Sequence, residues 1–497
     1  MVFSDPVFIV GFLPAALIIF HLLRVAANGT AATASLVGLS MVFYAYWSVP
    51  FLFLLLGQIG MNYLLALGIE QRRSRGLFWL AVLFNLCLLG YFKYRNFFLE
   101  NFEAVSGLHF QLSHLVVPLA ISFHTFQQIA LLADVKDDEV KVPPLLNYVF
   151  FVMFFPQLIA GPIVLHREMG KQVALTRDGN GLGLSMFAPG LFLFAFGLFK
   201  KICLADNIAT FADMAFTPHQ LLSMPEAWAG AISYALQLYF DFSGYSDMAV
   251  GLGLMFGFRL PFNFLIPYAS PSMIEYWKRW HITMTRFFTM YTYMPVALAA
   301  TRTAMTRGYG PLRFFLLATL IPTILTFLLS GLWHGAGWTF IMFGLVNGIG
   351  LGINHAWKAA KLGHVPRLVG WALTMVTILV TLVYFRSTSI AQANAILGSM
   401  FIPGNLLTVP AWVLTYLPWP VLRDHVGSFT LFAEASTTAH MIGWIILLGP
   451  LSLLLPPLSA QPDRLQPTWR MGFAMASMAW LVLGFIDQPR SFLYFAF

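Results

Sequence analysis

Stretches of about 20 apolar residues recur from one end of this 497-residue chain to the other, and each is long enough to cross a hydrocarbon layer of roughly 30 Å. By length they fall at 7–23, 33–49, 51–69, 77–92, 113–132, 146–165, 187–204, 227–256, 314–332, 337–356, 369–385, 441–455 and 471–486. Only 10% of the residues are charged and 59% are hydrophobic, whereas a soluble domain carries roughly 25% charged residues. Water therefore cannot be the solvent for most of this chain. The expected fold is an all-α polytopic membrane protein with roughly 11–13 membrane segments, some of them re-entrant.

Charge and cysteine content narrow the options further. The net charge of +8 comes from short clusters between apolar runs, such as "EQRRSR" at 70–75. Such clusters set topology and do not form a nucleic-acid surface. Arg24, Arg72, Arg73 and Arg75 place their connections in the cytoplasm and, two spans apart, put the N-terminus outside. Asp5 is the only charge before the first apolar stretch, which reads as a retained helix and not a cleaved signal. Cys87 and Cys203 lie in apolar sequence and suit packing, not a disulfide framework or metal cluster.

No linker or repeat divides the chain, so residues 1–497 are expected to form one integral membrane domain. Residues 401–440, rich in proline and tryptophan, are the exception to the helical pattern and read as an interfacial loop lying on the membrane.

Polar side chains are costly in lipid and are kept for function or for helix contacts. Four regions concentrate them. In "SGLWHGAGW" (330–338), His334 has no charged neighbour between Arg313 and Lys358. Gly331, Gly335 and Gly337 remove bulk around it, and Trp333 and Trp338 could wall a passage. A histidine there can move protons near neutral pH; it can equally be a buried group bonded to a carbonyl. In "EYWKRWHITMTRFF" (275–288), Trp277, His281, Met284 and Phe288 share one face of a helix and turn His281 toward the protein. An ordinary basic connector would read the same way.

The third region, 236–264, holds Asp241 and Asp247 with Tyr239, Ser243 and Tyr245 in apolar sequence. Each carboxylate needs a partner there, and structural pairing with a lysine or arginine is favoured over a place on a substrate path. The fourth contains His124, Gln127 and Gln128 in 118–134, followed by "FFPQLIAGPI" (154–163). Pro156, Gly161 and Pro162 break regular helix, and with the polar residues they read as irregular backbone lining a cavity, tolerated only inside the protein; the polar residues suit structure at least as well as catalysis. No nucleophile elbow, P-loop or metal-protease motif is present in the sequence. "GLGLMFG" (251–257) follows an apolar helix and not a strand, so it is no nucleotide fingerprint. Histidines without a nucleophile or metal cluster suggest base-assisted transfer directly from donor to acceptor.

"DFSGYSDMAVGLGLMFGF", "YWKRWHIT", "SGLWHGAGWTF" and "FFPQLIAGPI" resemble signature stretches of the membrane-bound O-acyltransferase family. "YFKYRNFF" (91–98), "GLFKKICLADN" (197–207) and "FRSTSIAQANAILGSMF" (385–401) are similar to its bacterial alginate- and cellulose-acetylating branch. The resemblance runs from about residue 90 onward, and the W-H-G and R-W-H-I motifs are specific as a pair. It implies helices around a central funnel or tunnel, with the catalytic core at about 90–400. It implies that His334 is catalytic, that His281 is the second functional position, and that Trp280, Trp333, Trp338, Asp241, Tyr245, Asp247, His124 and Gln127 are candidates for the tunnel.

By that resemblance the chain passes an acyl group, acetyl in this branch, from a thioester donor such as acetyl-CoA or an acyl carrier protein to a hydroxyl. The acceptor would serve extracytoplasmic polysaccharide O-acetylation in the bacterial inner membrane. Partners would be the bilayer, a secreted or membrane-anchored acetyltransferase and a polysaccharide-synthesis complex, with no bound cofactor, metal or nucleic acid. One stretch departs from the branch: "FFTMYTYMPVALAATR" (287–302) keeps Tyr293 and Pro295 but lacks an Arg-Asp pair and a Gly-Gly-Asn. The alternatives are D-alanyl transfer from a carrier protein toward teichoic acid-type acceptors, whose branch "GIGLGINHAWK" (348–358) resembles, or a transporter using the intramembrane histidines and aspartates.

Overall fold

A computed structural model describes residues 1–110, 115–177, 184–217, 222–401, 408–409, 427–428, 434–485 and 492–493. Among them eight helices are long and apolar enough to cross a membrane: Val7–Ala26, Val49–Arg72, Arg75–Ser106, Phe187–Ala215, Pro311–His334, Trp338–Ala359, Arg367–Arg386 and Ser436–Ala460. Gly29–Ala45, Ile390–Phe401 and Trp469–Phe485 are shorter apolar helices. The only strands among the described residues are Thr408–Val409 and Gly427–Ser428, paired in parallel. The protein is therefore all-α and polytopic. Apart from those strands and its helical ends, the 401–440 segment expected at the interface lies outside the described residues.

Local sequence sets where helices begin. Asn28, Ser48 and Ser74 each precede a helix and accept a hydrogen bond from the backbone N–H three residues on, satisfying a donor that the first turn leaves open. Between Val49–Arg72 and the next helix the chain reverses in two residues, with Arg73 left-handed at φ 48° and Ser74 as the cap.

The chain divides into two compact units that interleave along the sequence. The first comprises Met1–Phe199, Gly244–Asn263 and Leu458–Ala496; the second comprises Lys200–Ser243 and Phe264–Pro457.

Within the first unit, three helices are joined by buried amides. Gln58 Nε2 donates to Asn85 Oδ1 at 2.8 Å and to Thr125 Oγ1 at 3.1 Å, and Asn85 Nδ2 donates to Asn62 Oδ1 at 2.6 Å. Bonds of this kind are worth about 0.6–2 kcal/mol each in membrane helices. The glycines of 244–257 have a packing role. A Cβ on Gly251 would stand 2.5 Å from Gly190 O, and one on Gly197 would stand 2.3 Å from Gly244 O, so two helices cross at backbone contact. The stretch "FFPQLIAGPI" is irregular, as expected. A four-residue helix, Phe155–Leu158, gives way to non-helical backbone through Leu165, and all of it is buried. Gln157 Nε2 donates to Phe151 O across the break, and a Cβ on Gly161 would collide with the Gln157 backbone at 2.5 Å.

The second unit is organised on a helical hairpin, Pro311–His334 and Trp338–Ala359, joined by the three residues 335–337. A Cβ on Gly331 would lie 2.2 Å from Phe340 O, and one on Gly344 would lie 2.3 Å from Phe327 O. Small residues on both helices let the backbones touch, the packing that lipid favours because it offers no hydrophobic drive between helices. Arg367–Arg386 packs on the second arm. Residues 224–243 of the long helix Met224–Met255 belong to this unit as well.

Candidate active site

The hairpin places His334 at the last residue of its first arm, where Gly335 turns extended and ends the helix. The imidazole is buried at 6% exposure. Phe343 of the second arm stands 5.7 Å from it at 88°, Phe385 of Arg367–Arg386 at 5.1 Å, and Trp333 at 4.7 Å, measured between ring centroids. The three glycines of the motif differ in use. Gly331 admits the neighbouring backbone, Gly335 leaves room for the Phe340 ring, and Gly337 is in looser contact.

The single amphipathic helix expected over 275–288 is instead two short ones, Met273–Arg279 and Ile282–Phe288. The first is capped by Ser272, whose hydroxyl accepts from Glu275 N at 3.3 Å. The break falls at Trp280 and His281, and His281 is left-handed at φ 41°, ψ 55°. That conformation costs a side-chain-bearing residue of order 1–3 kcal/mol and persists where surrounding structure holds it. All four residues of the expected face, Trp277, His281, Met284 and Phe288, are nonetheless buried. The pattern in the sequence marked the buried side correctly; the local strain at His281 is invisible to periodicity.

The break aims His281 at the hairpin. Its ring is 1% exposed, lies perpendicular to Phe242 at 4.7 Å, and stands 6.1 Å from Trp333. Trp333 thus contacts both imidazoles. Ser330, one turn before His334, donates to Met284 Sδ at 3.8 Å, a second tie between the hairpin and the helix after His281. Burial lowers the pKa of His281 from its ordinary value, which leaves the ring neutral near pH 7.

Trp280 is packed among aromatic rings. It lies 5.8 Å from Tyr276, 6.0 Å from Tyr268 and 5.1 Å from Phe264. Tyr268 is itself fixed, donating its hydroxyl to Ala235 O at 2.6 Å. Trp338 does not share the burial of Trp333; it is 57% exposed at the start of the second arm.

Asp241 is paired, as the favoured reading of its position required. Lys201 Nζ lies 2.6 Å from Asp241 Oδ1 and 2.7 Å from Asp206 Oδ1, with Lys201 and Asp241 both buried. Tyr245, Asp247, His124 and Gln127 belong to the first unit, where all four are buried. Tyr245 stacks between Phe3 at 4.8 Å and Phe492 at 4.5 Å. Sequence reasoning missed Lys201, Phe242, Phe343 and Phe385. The two lysines inside the apolar run "GLFKKICLA" were a usable signal, because a buried cation implies a carboxylate partner. The phenylalanines carried none, being three among 49 in the chain.

The fold and site define an integral membrane protein with two buried histidines packed among aromatic rings. A sequence profile of MBOAT, the membrane-bound O-acyltransferase family, matches residues 73–360. The chain is 40% identical to a peptidoglycan O-acetyltransferase of Helicobacter pylori over 80% of each chain. It is 37% identical to a probable alginate O-acetylase of Pseudomonas syringae, over 82% of this chain and 76% of the relative. A teichoic acid D-alanyltransferase of Streptococcus thermophilus is 26% identical over 49% of this chain and 58% of its own length. The chain belongs to the membrane-bound O-acyltransferase family and is an O-acyltransferase.

Proposed function

We propose that the chain transfers an acetyl group from a thioester donor to a hydroxyl destined for extracytoplasmic glycan O-acetylation, with His334 as general base. The observation that supports this most is the pair of buried imidazoles in contact with one indole, Trp333. In this reading His334 takes the proton of the acceptor hydroxyl as its oxygen attacks the thioester carbonyl. The tetrahedral intermediate then collapses, the carbon–sulfur bond breaks, and the proton passes to the departing thiolate. A positioned base of this kind contributes typically 10²–10⁴-fold. His281 positions donor or acceptor, or relays the proton, beside it. The rings of Trp333, Phe343 and Phe385 keep water from the thioester, which otherwise hydrolyses.

Acetyl transfer is favoured over D-alanyl transfer by the extent of the likenesses: the relatives named for O-acetylation match about four-fifths of the chain, the D-alanyltransferase about half. The donor would be acetyl-CoA or an acyl carrier protein on the cytoplasmic side, with the chain in the bacterial inner membrane. A secreted or membrane-anchored acetyltransferase would receive the group and pass it to the polymer within a polysaccharide-synthesis complex. No resident metal or cofactor is part of this mechanism. The test is to supply purified protein in vesicles with labelled acetyl-CoA, acetylated carrier protein or D-alanylated carrier protein in separate arms. Ester formation from an acetyl donor supports the reading, and transfer from the D-alanyl carrier alone overturns it.

A further inference from the structure

The buried ion pair of Lys201 and Asp241 is not explained by the transfer chemistry. Helix Phe187–Ala215 contains a π-helical turn, Lys200–Ala205, that carries both lysines. In an α-helix, residues five apart are separated by about 140° around the axis and do not meet. The wider turn brings Asp206 under Lys201 at 2.7 Å, and π turns of this sort occur often at functional sites. On its other side Lys201 reaches Asp241 at 2.6 Å. Lys200, also buried, lies 6.0 Å from the Tyr239 ring. Lys201 is thus shared between two carboxylates, Asp206 and Asp241.

Asp241 and Phe242 are consecutive on the helix Met224–Met255, and Phe242 is the residue perpendicular to His281 at 4.7 Å. Because successive side chains on a helix are fixed in angle, gripping Asp241 from Lys201 sets the direction in which Phe242 points. A buried ion pair adds little net stability, but it can specify register where apolar contacts alone would allow rotation. His281, strained at φ 41°, depends on such a neighbour to hold its ring.

Resting on the reading of His281 and His334 as the transfer site, we propose that Lys201 is a positioning residue. Its pair with Asp241 fixes the rotation of the 224–243 helix and seats Phe242 against His281. Lys201 touches no reacting atom in this account and acts through Asp241 and Phe242.

The test uses the full-length protein in vesicles and two readouts. The first is the rate at which diethyl pyrocarbonate modifies His281, followed by mass spectrometry with no substrate present. The second is acyl transfer, resolved into kcat and KM. Asp241→Asn leaves Lys201 its Asp206 partner while weakening the grip on the 224–243 helix. The expected result is several-fold faster modification of His281, with kcat down about tenfold and the donor KM unchanged, as small misplacements at a reacting site produce. Phe242→Ala should do the same, and the double variant should be no worse than the poorer single variant. If Asp241→Asn is not recovered from the membrane, Lys201→Arg takes its place; it keeps the charge, changes the reach and should also speed the modification. Unchanged modification of His281 in the recovered variant, or losses that multiply in the double variant, overturns the proposal. The modification readout needs no acyl transfer, so a failure of the assigned reaction would show separately.

Discussion

Trp333 and His281 lie 52 positions apart in sequence, yet their ring centroids stand 6.1 Å apart inside the second unit. The helix break at Trp280 and His281 and the close crossing of the hairpin make that contact. Because Trp333 also packs 4.7 Å from His334, it stands beside both imidazoles. Replacing Trp333 by Ala should lower transfer by at least tenfold and admit water. The check is the ratio of thioester hydrolysis to ester formation, which should rise in the variant; a constant ratio would remove the indole from the account.

The hairpin tolerates no side chain at its crossing. A Cβ at Gly331 would meet the Phe340 carbonyl at 2.2 Å, and backbone cannot step aside as a flexible side chain can. Gly331→Ala should cost about 1–3 kcal/mol, the usual range for overpacking, and lower the temperature at which detergent-solubilised protein aggregates. Gly443→Ala is the control, since a Cβ there meets nothing within 4 Å. Equal melting of the two variants would contradict the packing argument.

His281 joins a chemical role to a strained backbone. Asparagine tolerates the left-handed region better than most residues, so His281→Asn should leave protein yield and thermal stability close to wild type while transfer falls at least tenfold. A variant that unfolds would instead make the histidine a structural residue.

His166 gives a pH effect away from the eight long apolar helices. It begins the helix His166–Arg177, and its ring packs 5.3 Å from Phe151. Neither of its ring nitrogens has a hydrogen-bond partner among the described residues. Burial lowers its pKa below the ordinary 6.5. The helices Gly29–Ala45 and Leu145–Met153 pack against this helix and carry no charged residue; Arg167, Glu168 and Lys171 are on its own turns. The folded state keeps the ring neutral while the unfolded chain binds a proton below about pH 6.5. This histidine's contribution to stability is therefore complete above that pH and is lost as the pH falls below it. Thermal midpoints measured from pH 7.5 down to 5 should drop less steeply in His166→Phe than in wild type.

Much of this was legible in the sequence because lipid imposes simple rules. Apolar length located the helices, and the cost of a buried polar group pointed to His334, His281 and Asp241. What was not legible came from contacts between distant segments. The helix break at His281 depends on the walls that hold it, and no local propensity requires it. Trp338 looked equivalent to Trp333, but they lie five positions apart across a turn that buries one and exposes the other. Lys201 stood in plain view in an apolar run, yet its importance depends on a π turn that sequence periodicity does not encode.

The central claim is that His334 is the base that accepts the acceptor's proton. The most direct measurement is ester formation by His334→Ala protein in vesicles, with recovery from the membrane and thermal midpoint measured on the same sample. The account predicts a loss of 10²–10⁴-fold in transfer with recovery and thermal midpoint unchanged. Wild-type ester yield from a folded His334→Ala protein would contradict it.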